Sequence, residues 1–150
     1  MEKQNFYDLD FDQLKNFLIS KVEVDSTKAK MRAQQMFNAV YKKNIKSFDA
    51  LTTFSLELRE KIKKLISLEK PKIVDIQKSK DGTIKFLLEL KDKRNVETVL
   101  IPDKSQSRYT ICLSVSVGCY LSCEFCATAQ ISKNLVRNLT PGEIISQIIL

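Results

Sequence analysis

The spacing of apolar positions changes near Pro71, and the change divides the chain. Before it, apolar residues recur at helical intervals. Phe11, Leu14, Phe17 and Leu18 follow Asp10, a residue suited to an N-cap. Ala33, Met36, Phe37, Val40 and Tyr41 form a second stripe, opened by Asp25-Ser26-Thr27, and its spacing reads as core packing. Ser47-Phe48-Asp49-Ala50-Leu51 reads as a short helical turn. Leu58, Ile62, Leu65 and Ile66 mark a third helix, capped near Ser55 and stopped before Pro71.

After Pro71 the period becomes two. Val74 and Ile76 alternate with polar residues, Asp81-Gly82 signals a hairpin, and Ile84, Phe86, Leu88 and Leu90 alternate on the return strand. Val96 to Ile101 is a third strand, ended by Pro102, and the simplest arrangement is a small antiparallel sheet. Tyr109 to Val117 is predicted as a fourth strand. Ile111, Leu113, Val115 and Val117 would pack on one face, with Cys112, Ser114 and Ser116 on the other. The last element is a helix start: Thr140-Pro141-Gly142-Glu143 supplies an N-cap, a proline at the first helical position and a capping-box glutamate. Ile144, Ile145, Ile148, Ile149 and Leu150 give it an apolar face with no visible partner in the sequence.

The expected fold class is therefore α+β followed by α/β. A small helical accessory domain covers residues 1–70, an antiparallel β linker covers 71–104, and a strand–loop–helix unit covers 105–150. One such unit needs several more to close a fold. The chain is accordingly expected to be truncated: the N-terminal part of a longer protein, or a broken gene product.

Composition narrows the chemistry. The 150 residues include no histidine, which excludes His-dependent triads, HExxH sites and mixed Cys/His zinc fingers within this chain. No apolar run approaches the roughly 20 residues that span a bilayer, and the N-terminus has no apolar stretch behind a basic start. The expectation is a cytoplasmic chain with no membrane partner and with reduced or metal-bound thiols. Net charge is +7. Lys28, Lys30, Arg32, Lys42, Lys43 and Lys46 fall between Ser26 and Phe48 with no acidic residue among them. That run is either a solvated helix face or a phosphate-contacting surface.

The most informative feature is Cys119-Tyr120-Leu121-Ser122-Cys123-Glu124-Phe125-Cys126, three cysteines spaced C-x3-C-x2-C. Close thiolates are soft ligands for zinc or iron–sulfur clusters, and three of them leave one position open. Structural zinc wants four ligands. Cys112, the spare cysteine, lies seven residues before Cys119 in a predicted strand, and no histidine is available. Three unrelated core cysteines fit worse, because Tyr120, Ser122 and Glu124 give the loop no apolar period.

This spacing, after a strand and before a helix, resembles the radical-SAM superfamily motif. The flanks resemble something narrower. Glu97-Thr98-Val99-Leu100-Ile101-Pro102, Cys112, Ser116-Val117-Gly118-Cys119 and Cys126-Ala127-Thr128-Ala129-Gln130 together resemble the RlmN/Cfr family of RNA adenine-C2 methyltransferases. Met31-Arg32-Ala33-Gln34-Gln35 and Ser47-Phe48-Asp49-Ala50-Leu51-Thr52 resemble that family's helical RNA-binding domain. Ala127-Thr128-Ala129-Gln130 is closer to the RlmN branch than to the Cfr branch.

The resemblance implies a partial (βα)6 radical-SAM barrel whose first βα unit is 105–150. It implies a 4Fe–4S cluster on Cys119, Cys123 and Cys126, with S-adenosyl-L-methionine on the open iron. It implies a two-SAM reaction: one SAM methylates a cysteine of the enzyme, and a second yields the radical that activates that methyl group for attack on adenine C2. Cys112 matches the cysteine that resolves the protein–RNA adduct, and Glu97 matches a glutamate that handles a proton at the substrate. Implied partners are 23S rRNA, with tRNA as a second candidate substrate, and an electron donor such as flavodoxin or ferredoxin. The full-length protein would be a monomer. The methyl-carrying cysteine would lie beyond Leu150, so these 150 residues should not complete the reaction alone. The competing readings are a zinc-bearing RNA-binding module without catalysis and a different radical-SAM enzyme.

Overall fold

The computed structural model describes residues 3–103, 105, 107–121, 123–127 and 137–149. It combines helices and sheet in two compact units, Met1–Glu69 and Lys70–Leu150.

In the first unit each helix starts at a polar cap. Helix α1 (Phe11–Ser20) opens on a full capping box: the Asp10 carboxylate accepts from the Gln13 amide at 2.7 Å, and the Gln13 side chain accepts from the Asp10 amide at 2.9 Å. Asp25 caps α2 (Ser26–Phe37) by accepting from the Thr27 amide at 2.9 Å. Residues Asn38–Lys42 continue α2 as one turn of π-helix, with the Lys43 amide bonded to the Asn38 carbonyl at 3.1 Å. Ser47 caps a 3-10 turn at Phe48–Ala50, and Ser55 caps α3 (Leu56–Leu65).

Helix α3 ends well before Pro71. Ile66–Ser67 (β2) instead pairs in parallel with Gln4–Asn5 (β1), so the backbone groups of the next residues go to a ladder. Leu14, Leu18, Ala29, Ala33, Met36, Val40 and Ile62 are buried as their helical spacing requires. Phe6 and Tyr7 join this core from outside any periodic segment. The Phe6 ring lies 5.4–6.3 Å from those of Phe37, Tyr41 and Phe48.

The second unit is built on an antiparallel meander in the order β3 (Lys72–Lys78), β4 (Ile84–Glu89), β5 (Asn95–Asp103) and β6 (Arg108–Cys112). Asp81-Gly82 makes the first hairpin, with Gly82 at φ +95°. Strand β5 runs on through Pro102 to Asp103. Pro102 stands opposite Tyr109 near the ladder's end, where a residue without an amide proton is tolerated. On one face Leu88, Leu90 and Val96 are buried with Leu139, and Phe86, Val117 and Ile144 pack against them. Edge strand β3 is exposed along its whole length.

The segment predicted as one strand from Tyr109 to Val117 is two strands. Strand β6 stops at Cys112, and Ser116–Val117 (β7) pairs antiparallel with Arg137–Asn138 (β8) in a separate ladder. The expected apolar face is split accordingly: Val117 packs on the cluster, while Ile111 and Val115 are exposed. The final helix, α4 (Pro141–Ser146), carries the predicted capping box, and Ile144 finds a partner in the same cluster. Leu150 lies outside the described residues.

A β-carbon at Gly82 would meet Pro102 Cγ at 3.2 Å on top of an unfavourable φ. Gly82→Ala should destabilise the second unit by about 1 kcal/mol, read as a lower midpoint in urea unfolding. An unchanged midpoint would contradict the turn geometry.

Candidate functional site: a cysteine loop closed at its base

Glu97 and Cys112 share the open face of the meander. Cys112 pairs with Val99, so it lies diagonally from Glu97, at roughly 7–8 Å for such neighbours. The Glu97 side chain is half exposed and pairs with Lys85 Nζ at 2.9 Å. Its backbone carbonyl accepts from Ser114 Oγ at 2.7 Å. The Cys112 residue is exposed. The register of β5 and β6 thus places the carboxylate and the thiol on one face of the sheet.

The cysteine loop leaves β7 at Gly118, which adopts φ +78°. It returns through β8, where Ser116 pairs with Asn138 and Val117 with Arg137. The Leu139 amide then reaches the Val115 carbonyl at 2.9 Å. Cys119, Cys123 and Cys126 are half-buried. The Cys119 sulfur accepts from the Leu121 amide at 3.4 Å, and the Cys126 amide donates to the Cys123 carbonyl at 3.0 Å, placing those two cysteines on one turn. Phe125 is 92% exposed. Among the described residues, no three Cys, Asp or Glu side chains are gathered tightly enough to hold a metal ion. Ser122 and the motif residues Thr128, Ala129 and Gln130 lie outside the described residues.

The donor set itself suits an iron–sulfur cluster: three soft ligands on one short loop, and a sulfur that already accepts a backbone N–H. Such N–H···S bonds are among the means by which proteins tune cluster potentials.

Two side chains beyond the sequence expectations fasten the base of the loop. Arg137 grips Glu143 through two parallel bonds of 2.7 Å and reaches Asp92 in the β4–β5 turn at 2.9 Å. Glu143 also accepts from the Thr140 amide at 2.9 Å, so the ion pair and the helix cap are one structure. The Arg137 guanidinium holds the Glu143 and Asp92 carboxyls below their ordinary range, and the two carboxylates in turn hold Arg137 charged.

The second fastening is Gln147, just past α4 and 5% exposed. Its Oε1 accepts from the Ser114 amide at 3.0 Å and from Thr98 Oγ1 at 2.7 Å. Its Nε2 donates to the Ser114 carbonyl at 2.9 Å and to the Glu143 carbonyl at 3.2 Å. The available sequence signal was a polar residue set among Ile144, Ile145, Ile148 and Ile149, on the inward side of an apolar helix.

Comparisons with known proteins identify relatives of this chain. Residues 4–68 match the family model described as ribosomal RNA large subunit methyltransferase N-terminal domain. The chain is 39% identical over 149 residues to the dual-specificity RNA methyltransferase RlmN of Nitratiruptor sp., covering 91% of this chain and 41% of that protein. It is 40% identical to the RlmN of Campylobacter fetus over 97% of this chain and 41% of that one. A radical SAM methyltransferase from Sphaerobacter thermophilus has a similar structure, with a TM-score of 0.80 and 33% identity over 97% of this chain and 40% of that chain. The chain belongs to the RlmN family, and it spans about two fifths of the length of the curated relatives it matches. No helix among the described residues is long and apolar enough to cross a membrane.

The Arg137 network sets a pH dependence. Both carboxyls titrate below their ordinary values in the folded chain, so their stabilisation is complete above about pH 4–4.5 and is lost as pH falls through the lowered values. Arg137→Ala should lower the unfolding midpoint at pH 7 and flatten its fall toward pH 3. A variant with the wild-type pH profile would contradict the assignment.

Proposed function

We propose that this chain is the RNA-binding and cluster-bearing part of a radical-SAM methyltransferase that methylates C2 of adenine in 23S rRNA, with tRNA as a second candidate substrate, through a methyl-cysteine intermediate. The observation that carries the reading is the cysteine loop, closed at its base and continuous with a sheet face that presents Cys112 and Glu97 together. The names and extent of the relatives support it. Residues 1–70 serve as the helical accessory domain, 71–104 as the β linker, and 105–150 as the opening of a partial (βα)6 barrel.

Cys119, Cys123 and Cys126 would hold a 4Fe–4S cluster, with S-adenosyl-L-methionine as its co-substrate. When bound, such a cluster would supply one-electron reducing chemistry toward S-adenosyl-L-methionine. The chain's own residues then hold and orient. Lys85 fixes the Glu97 carboxylate from across the sheet. Glu97 moves the proton at adenine C2, and the exposed Cys112 thiol resolves the protein–RNA adduct. A flavodoxin or ferredoxin donates the electron, and the full-length enzyme works in the cytoplasm as a monomer.

The N-terminal unit contacts RNA phosphates through Lys28, Lys30, Lys42, Lys43 and Lys46, all exposed. Arg32, grouped with them by the sequence pattern, is committed elsewhere. It donates to the Gln35 side chain and to the Thr53 carbonyl, both at 3.0 Å, and stacks 4.7 Å over the Phe54 ring.

Anaerobic reconstitution tests the cluster. The expected product is brown, with equal iron and sulfide, and each of Cys119→Ala, Cys123→Ala and Cys126→Ala should cut the iron content severalfold. Zinc binding without sulfide would reject the reading. For RNA, Lys42→Glu with Lys43→Glu should weaken binding and reduce the salt slope by about one unit for each phosphate no longer neutralised, whereas Arg32→Lys should mainly lower stability. Unchanged affinity in the double variant would reject the lysine surface.

A further inference from the structure

At Ser114 the chain has left β6 and has not yet entered β7, so its amide and carbonyl have no strand beside them. Both are bonded to the Gln147 side chain, at 3.0 and 2.9 Å. The carboxamide acts as a one-residue strand, accepting and donating as a ladder neighbour would. It is also saturated: two bonds accepted at Oε1, two donated from Nε2, which is the full capacity of an amide group. Its remaining partners are Thr98 on β5, 3% exposed, and the Glu143 carbonyl of α4.

The position of this amide matters more than its energy. Ser114 lies between Cys112 on the sheet and Cys119 in the loop. Its hydroxyl donates to the Glu97 carbonyl at 2.7 Å, while its backbone is held by Gln147. Thr98, the residue after Glu97, donates to the same amide oxygen. One side chain therefore fixes the offset between the strand bearing Glu97, the strand bearing Cys112 and the start of the cysteine loop.

We propose that Gln147 is a positioning residue: it sets where the cysteine loop and Cys112 sit relative to the sheet, and cluster assembly depends on it. The proposal rests on the reading of Cys119, Cys123 and Cys126 as cluster ligands. Removing the amide frees Ser114 to slide or rotate, and the loop entry moves with it. Polar groups even partly withdrawn from solvent are costly to leave unpaired, so the Ser114 amide and carbonyl then turn to water and the segment opens.

The test compares Gln147→Met, which keeps the length but not the bonds, with Leu88→Ala, which weakens the core of the same unit without touching Ser114. Each chain is reconstituted anaerobically with iron and sulfide, its melting temperature is measured, and amide exchange is followed over residues 113–117. Gln147→Met should take up at least fivefold less iron and exchange these amides at least tenfold faster. Leu88→Ala, at an equal or larger loss of melting temperature, should lose less than twofold of its iron. Thr98→Val, missing one of the four bonds, should fall between wild type and Gln147→Met. Iron loss that tracks melting temperature equally in both variants would overturn the proposal, as would wild-type iron and exchange in Gln147→Met. A wild-type chain that takes up no iron defeats the cluster reading instead. The exchange data then decide the clamp alone: faster exchange confined to Gln147→Met upholds it, and equal exchange in wild type and Gln147→Met overturns it.

Discussion

A strand that leaves its sheet must find new partners for its backbone, and in this chain both partners of Ser114 come from one buried carboxamide. That constraint organises the second unit. The meander can end at Cys112 and the loop ladder can begin at Ser116 because the residues between are held without a strand. The helix that supplies the amide is started by a capping box on Thr140 and Glu143, and Glu143 is held in turn by Arg137 at the loop's return. Cap, ion pair and amide form one connected set of bonds around the base of the cysteine loop. The apolar cluster of Leu88, Leu90, Val96 and Leu139 supplies the burial that makes those bonds worth keeping dry.

The first unit solves a different problem. Its helices are short, and helices of this length are marginal without packing. Side-chain caps at Asp10, Asp25 and Ser55 satisfy the orphan amides, and an aromatic core around Phe6 supplies the packing. The lysines of α2 and the following turn are left in solvent, where a phosphate backbone could meet them. Arg32 differs because its planar guanidinium suits stacking and carbonyl bonding within the fold, which an ammonium serves less well.

Local signals in the sequence were readable. The starts of α1, α2, α3 and α4 followed from their caps, the first hairpin followed from Asp81-Gly82, and the alternation of Ile84 to Leu90 gave the buried face of the sheet. The cysteine loop stood out by spacing alone. Features that depend on residues far apart in sequence were not readable. Alternation continues smoothly from Tyr109 to Val117, so nothing local announces that the strand breaks at Leu113. At the break the Ser114 backbone is bonded instead to Gln147, more than thirty residues later. The early end of α3 likewise depends on Gln4 and Asn5 pairing with Ile66 and Ser67. Arg137 reads as one more basic residue until Asp92 and Glu143 converge on it.

The chemistry proposed for the cysteine loop is one that the cell can report on directly. The most direct measurement is nucleoside analysis of ribosomal and transfer RNA from a strain deleted for the gene that carries this sequence. C2-methyladenosine should vanish on deletion, return with the intact gene, and fail to return with the gene carrying Cys119→Ala. C2-methyladenosine that persists after deletion, or that returns with Cys119→Ala, would contradict the cysteine loop as the seat of the reaction.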